Sequence, residues 1–553
     1  MHIGHRGALT ALMLLAAIGC GGSDAPPPNQ GGRDNVVITL PDGGTAEVPA
    51  PPPPVGNGAE AQDGIFVSAS KGAAGADGAK ARPVKTIAEA IALAAQKHLP
   101  VNVCAETYAE AVTLVDGVTL FGYFDCSNPE KWVRVDAKAK IASPTSPAVV
   151  GEGLLLPATF AGFEVEAPDI QGSAATGPAA SSYGMILRSS RNLTLSELTI
   201  RAGKGQDGVD GVEPAEGNVE LSKRPNGVES FPPVPQACYP KLPSNVLVCN
   251  FDGSGAFAPG AAGGTSQCKV GPNGGPGGQG GGGRISVNGV LRSGNLQDAN
   301  GRALEANDPL TAKGGVASSV VGSIQGKGND GAPGPDGTTG ANGRWSFTDS
   351  GFVVGDGTAG TNGAPGQGGG GGAGAYGYGT ISGGGIEIPI GPPDNGMWRS
   401  AAGAGGGAGG CGGIAGTPGS GGGASIGLFV IDSRDITLAN ARIEGKKGGR
   451  AGRGAKGSDG TPGGSGGAQS PAAAEGGPAG SPGGKGGKGG HAGLSGNGAP
   501  GPSIALVFKG DRPFTKDGVV LVPGTGGDGV DQTSAGTQTL PAVYGEAKQE
   551  HSF

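Results

Sequence analysis

Aromatic residues are scarce: Phe, Trp and Tyr together make up 4% of the 553 residues. A large aromatic core is therefore excluded. Past the N-terminus, no apolar run approaches the roughly 18 residues of a membrane-spanning helix. No block of Lys and Arg breaks a chain of formal net charge −7, which argues against nucleic acid and anionic lipid headgroups as partners. No two cysteines have C-x-x-C spacing, and the five histidines (2, 5, 98, 491 and 551) lie apart from them. A zinc site is therefore not expected.

Glycine is what the chain has in excess: 121 residues, beside 44 prolines. Together they reach the range of glycine-repeat or low-complexity sequences. They are unevenly placed, and the N-terminus is different again. Arg6 precedes an apolar run, residues 8–18, that is too short to span a bilayer and suits a secretory signal. It ends in Ala17-Ile18-Gly19-Cys20, which resembles the lipobox of bacterial lipoproteins. The resemblance implies a signal peptide over residues 1–19 and an acylated Cys20 as the mature N-terminus. Gly21, where an inner-membrane protein of that family carries Asp, implies the outer membrane. Acyl chains contribute about 0.8 kcal/mol per buried CH₂, and more than one chain makes anchoring stable. Residues 20–62 read as a Pro/Gly-rich tether, extended and semi-rigid. The remaining cysteines, Cys104, Cys126, Cys238, Cys249, Cys268 and Cys411, are even in number, which in an exported chain favours disulfides.

Residues 63–205 alternate short β-rich runs with turn residues. DGIFVSAS opens as a strand. Residues 83–99 place Val84, Ile87, Ala88, Ile91, Ala94 and Ala95 on one helical face, with Pro83 suited to a first turn. VNVC, AVTL and GVTLFGYF follow as strands. This segment, "DGIFVSAS…ARPVKTIAEAIALAA…PVNVCAETYAEAVTLVDGVTLFGYFD", resembles the opening of secreted right-handed parallel β-helix proteins of the pectin-lyase-like group. The resemblance implies a capping helix over 83–99 and strands that stack coil on coil at about 4.8 Å. Cys104 and Cys126 are then about one coil apart, within reach of a disulfide.

Residues 181–208 return as 424–452. At an offset of 243, Ser182, Gly184, Ser190, Arg191, Thr194, Leu195, Ile200, Lys204 and Gly205 match Ser425, Gly427, Ser433, Arg434, Thr437, Leu438, Ile443, Lys447 and Gly448. SIALVF (503–508) echoes SIGLFV (425–430). The winding is thus expected to break off into a glycine-rich insertion, 206–423, and to resume over 424–510, leaving 511–553 as a tail. Every-third-glycine runs occupy 271–283, 328–343, 357–372, 407–422, 454–466 and 477–496. They are too short and too poor in proline for a collagen triple helix. They are similar in period to the polyglycine-II bundles of glycine-rich antifreeze proteins and phage adhesin tips, and in texture to PGRS-type surface proteins. Two alternatives stay open, an intrachain bundle or mobile loops. The expected fold class is all-β: a right-handed parallel β-helix with a capping helix, plus that bundle or those loops.

Chemistry is thinly written. Glu164 and Glu166 share a strand face by the period of two, with Asp169 beyond and Arg188, Arg191 and Arg201 in the following strands. These are the candidates for a carbohydrate or calcium groove. GKGQDGVDG, with Asp207, resembles one copy of a calcium-binding nonapeptide, whose sites need stacked copies. No catalytic residue stands out. Cofactors are expected to be none, calcium being the one ion considered. The leading reading is a non-enzymatic, lipid-anchored surface scaffold acting in adhesion or envelope structure. Its partners would be the membrane through the lipid, extracellular polysaccharide or other surface proteins. The alternative is a polysaccharide-lyase-like enzyme or a carbohydrate-binding module.

Overall fold

A computed structural model describes residues 56–174, 178–215, 260–281, 326–374, 402–469, 480–533 and 538–553, the single residues 218, 226 and 227, and the backbone of eight strands outside those ranges. Cys20 lies outside the described residues. Residues 1–52 form a unit of their own, in which Val36–Thr39 pairs antiparallel with Thr45–Val48.

The larger unit is nearly all-β and is built on three parallel sheets. Sheet I contains Ile65–Val67, Val101–Cys104, Leu120–Asp125, Ala158–Ala161, Arg191–Ser196, Arg434–Ala439 and Phe514–Thr515. Sheet II contains Thr107–Tyr108, Ala139–Ala142, Phe163–Glu166, Thr199–Arg201, Arg442–Glu444 and Val520–Val522. Sheet III contains Val112–Leu114, Val149–Glu152, Ser182–Arg188, Ser425–Ile431, Ser503–Lys509 and Ala547–Ser552. From Val101 on, the chain visits the sheets in the order I, II, III and returns to I. Inward positions stack like on like: Val149, Met185, Leu428 and Leu506 form one buried column, and Val165, Ile200 and Ile443 another. Medium-sized aliphatics fill most of this core because each is covered by its counterpart one strand away, about 4.8 Å.

The corners repeat as strictly as the strands. Gly153, Ser189, Asp432 and Gly510 turn the chain from sheet III to sheet I, and Gly162, Glu197, Asn440 and Gly518 from sheet I to sheet II. All eight have φ between 46° and 85°. Glycine adopts that region freely, while Asp and Asn tolerate it through local hydrogen bonding.

The helix spans Ile87–Lys97 and closes the N-terminal end of the core with Ile87, Ala90, Ile91 and Ala94. Thr86 and Glu89 form a capping box, and the Glu110 carboxylate accepts the N–H groups of Ile87 (2.9 Å) and Ala88 (3.1 Å). Pro83 therefore precedes the helix instead of starting it. Thr86 takes the cap because its side chain can accept the Glu89 N–H, which a proline ring cannot do.

The 243-residue repeat is two neighbouring rungs of one winding. Ser182 pairs with Ser425, Arg191 with Arg434 and Ile200 with Ile443. The echo at 503 is the next rung, since Ser425 pairs with Ser503. Residues 511–553 are not a tail beyond the sheets. Phe514–Thr515, Val520–Val522 and Ala547–Ser552 add a further rung to each sheet.

The long excursions leave and return at one corner, between sheets II and III. Buried Ser182, Ser425 and Ser503 stack at the point of return. Each Oγ accepts a backbone N–H where the chain leaves sheet II on the next rung: Gly203, Lys446 and Gly524, all at 2.8 Å. Ser425 Oγ also donates to Gly203 O at 2.7 Å, joining the two ends of its own excursion across 222 residues.

Within the excursions the glycine runs bond to one another every third residue. Gly331, Gly334, Gly337, Gly340 and Gly343 donate to the carbonyls of Lys485, Lys488, His491, Leu494 and Asn497 at 2.7–2.8 Å. The run 402–423 is central. Ser420 donates to Val209 O, Gly406 to Gly278 O and Gly407 to Gly484 O. The run accepts from Gly264, Gly369 and Gly464 in three further runs. Over residues 405–413, where it is buried throughout, it has glycine in two columns of three, because a Cβ on Gly409 or Gly410 would collide with Gly366 O or Thr461 O. Short polar side chains cap the N–H groups that no carbonyl reaches. Asp330, Asp336 and Asn342 take those of Lys485, His491 and Asn497, and Ser420 and Thr417 take those of Val209 and Val212.

A hairpin, Ser346–Thr348 with Gly351–Val353, lies across the outer face of sheet III. Its Phe347 and Phe352 pack on Ile186, Phe429 and Val507, so that the strand Ser425–Ile431 is buried on both faces. Two further hairpins, Arg284–Val287 with Val290–Ser293 and Tyr376–Ser382 with Gly385–Pro389, lie within the glycine-rich insertion.

Candidate functional site

The outer face of sheet II carries the sequence candidates Glu164 and Glu166. Strand alternation points Val165 into the core and both carboxylates outward. In the ladder Lys140, Glu164, Thr199 and Arg442 share one outward row, and Ala142, Glu166, Arg201 and Glu444 the next. Glu164 pairs with Arg201, which also holds Glu444 at 2.7 Å. Arg442 pairs with Glu444 as well. Glu166 receives Lys140 Nζ at 2.6 Å, and Lys446 Nζ reaches Asp169 at 3.1 Å. Four acids thus face four bases, and the surface is electrically compensated.

The hydrogen bond from Lys140 holds the Glu166 carboxyl below the usual carboxylate range, and Lys446 adds to it. Asp169 is held low by the backbone N–H of Lys204 and then by Lys446. These groups are anions whose charge is already spent on neighbours. Exposed ion pairs are worth about 0–1 kcal/mol each, so the ladder fixes the lateral order of the rungs more than it stabilises them.

Arg188 is not part of this face. It lies on sheet III and donates to Ser350 O at 3.0 Å, holding the hairpin over that sheet. Asp207 lies in a glycine run, where its carboxylate accepts the Arg450 N–H at 2.8 Å and Lys204 Nζ at 3.0 Å. Asp210 does the same for Arg453 N–H at 2.8 Å. GKGQDGVDG is therefore a run whose glycines donate to a neighbour and whose aspartates cap it.

Cys104 and Cys126 are joined, with Cα atoms 5.6 Å apart, Cys104 ending one strand of sheet I and Cys126 directly following its neighbour Leu120–Asp125. Cys268 and Cys411 are joined likewise, at 5.6 Å, which ties residues 260–268 to the buried central run. Cys238 and Cys249 stand opposite each other in an antiparallel pair of strands whose side chains lie outside the described residues. Glu106 lies beside the Cys104–Cys126 bridge, but both sulfurs are in the disulfide. Its carboxylate accepts Ser68 Oγ and Ser70 N–H, both at 3.1 Å.

Two arrangements were hidden in the sequence. His491 has no aspartate near it along the chain, yet its Nδ1 lies 2.6 Å from Asp459 and its Nε2 3.0 Å from Lys488. The second is a cleft of about 310 Å³ at the corner between sheets III and I. Leu155, Ser189, Arg191, Asp432, Arg434 and Asp511 line it. Its only signal was the match of Ser190-Arg191 to Ser433-Arg434, which marked a repeat and not a site. Among the described residues no helix is long and apolar enough to cross a membrane. No family model, no curated protein and no solved structure matches this chain.

Proposed function

We propose that this protein is a non-enzymatic surface scaffold, anchored to the outer membrane by a lipid on Cys20 and held off it by the tether. In this reading the three parallel sheets are a right-handed parallel β-helix, and the glycine runs form a polyglycine-II-like bundle on one of its corners. The observation that carries the reading is the commitment of the polar groups. Glu164, Glu166, Asp169 and Asp207, the best acids for catalysis or calcium, are each engaged by a lysine, an arginine or a backbone N–H. A body cross-linked by disulfides and packed largely with small side chains suits contact with matrix or neighbouring envelope components.

Two measurements test it. Cys20→Ala protein should leave the membrane fraction that wild type occupies, and unchanged fractionation refutes the anchor. The protein should release no product from uronate-containing polymers with or without Ca²⁺. Turnover abolished by Glu164→Ala would establish the enzymatic alternative.

A further inference from the structure

We infer that the cleft between the III-to-I corners binds one oxyanion group, a carboxylate, sulfate ester or phosphate ester, carried on a hydroxyl-bearing molecule such as a sugar acid. Arg191 and Arg434 begin adjacent strands of sheet I and are partners in the ladder, one strand spacing apart. Arg134, Arg201, Arg442 and Arg512 each have a carboxylate within 4 Å. Arg191 and Arg434 have none among the described residues, and Arg191 Nε is buried without a hydrogen-bond partner. Two adjacent guanidiniums with unused donors form a fork that matches the oxygens of one anionic group.

The rest of the lining selects what carries that group. Asp432 and Asp511 flank the arginines. Asp432 lies 3.5 Å from Lys509, and Asp511 occupies the rung beyond Arg434 without an ion pair among the described residues. Two carboxylates disfavour a dense bare anion, but they accept hydrogen bonds from hydroxyls. The exposed Ser189 hydroxyl donates or accepts, and Leu155, 37% exposed, offers an apolar wall to the C–H face of a ring. A volume of about 310 Å³ accommodates one or two sugar rings. The site is separate from the paired acids of sheet II and does not depend on the lipid anchor or on the scaffold reading.

Calorimetric titration of the full-length chain tests this with glucuronate, glucose 6-sulfate, glucose 6-phosphate, neutral glucose and inorganic sulfate. At least one acidic sugar should bind saturably, glucose should not, and sulfate should bind at least tenfold more weakly than the best sugar. Arg434→Gln, at an exposed position, should weaken binding at least tenfold with unchanged thermal unfolding. Arg434→Lys should fall between, and Asp511→Asn should weaken the sugar while strengthening sulfate. No saturable binding of any acidic sugar, or wild-type affinity in Arg434→Gln, overturns the site. Sulfate binding as tightly as the sugars overturns the hydroxyl-bearing ligand.

Discussion

The backbone N–H of Ser190 donates to Oγ of Ser433 at 3.0 Å, across 243 residues of chain. Ser190 Oγ in turn accepts the Leu154 N–H at 3.2 Å, one rung earlier. Both serines are buried, and each hydroxyl donates a hydrogen bond to the carbonyl two residues back. This column carries the corner on protein hydrogen bonds. Ser433→Ala leaves the Ser190 N–H unpaired in the interior, at a cost of about 1–3 kcal/mol. Chemical denaturation should show that loss, with Ser189→Ala, at the exposed neighbour, close to wild type.

The glycine columns give a phase-dependent prediction. A Cβ on Gly334 would collide with the carbonyls of Ala364 and Pro365, and one on Gly363 with those of Gly490 and His491. Gly334→Val and Gly363→Val should destabilise by about 1–3 kcal/mol through overpacking. Thr338→Val lies in the same run as Gly334, but at an exposed position, and should be nearly neutral. Thermal unfolding and protease resistance report the difference. Equal behaviour of the two classes means that the runs do not pack.

How much of this was legible follows from the range of each signal. The capping helix is local, and Ile87, Ile91 and Ala94 of its buried face were readable; the Pro83 start was misplaced because a competing cap at Thr86 needs side-chain geometry, and Ala88, expected on the buried face, is exposed while Ala90 is buried. The rungs at 182 and 425 were readable because stacking in register forces like residues onto like. The last rung was not, because Phe514–Thr515 and Val520–Val522 are short edge strands with exposed Phe514 and Val520, and no covering neighbour constrains their sequence. The Glu164 and Glu166 face followed from alternation, but its neutralisation did not. Glu444 and Lys446 arrive on the next rung after an excursion of more than two hundred residues, and nothing in the local sequence points to them. Asp459 and His491 stand 32 residues apart on two different glycine runs, so neither points to the other in the sequence.

The disulfides divide by role. Cys104–Cys126 links adjacent strands near the capped end, while Cys268–Cys411 fastens the buried central run, where Cys411 is inaccessible. Paired Cys268→Ser and Cys411→Ser substitutions should increase proteolysis within the glycine-rich region and leave the sheets protected in hydrogen exchange. Removing Cys104–Cys126 should instead lower global stability by about 2–4 kcal/mol. Peptide mapping of unreduced protein should recover both linked pairs.

His551 makes the closure of sheet III depend on pH. It sits on the last strand, 5.1 Å from the Phe347 ring and 5.6 Å from Trp345, at the base of the covering hairpin. Burial lowers its affinity for a proton and Lys548 lowers it further, against a smaller opposing effect of Glu546. The folded state therefore holds the neutral imidazole, while the unfolded chain takes up a proton near pH 6.5. Stability from this group is present above that pH and lost as pH falls below it toward the folded-state value. Tyr183 and Lys509, which hold the hairpin through Phe352 N–H (3.0 Å) and Asp349 (2.6 Å), keep their charge states across that range. Between pH 7.5 and 5.5, Trp345 fluorescence and hydrogen exchange in residues 344–353 and 547–552 should report loosening of the hairpin and last strand. His551→Phe should abolish the dependence while keeping the aromatic contact, whereas an unchanged pH profile in that variant assigns the loosening to other groups.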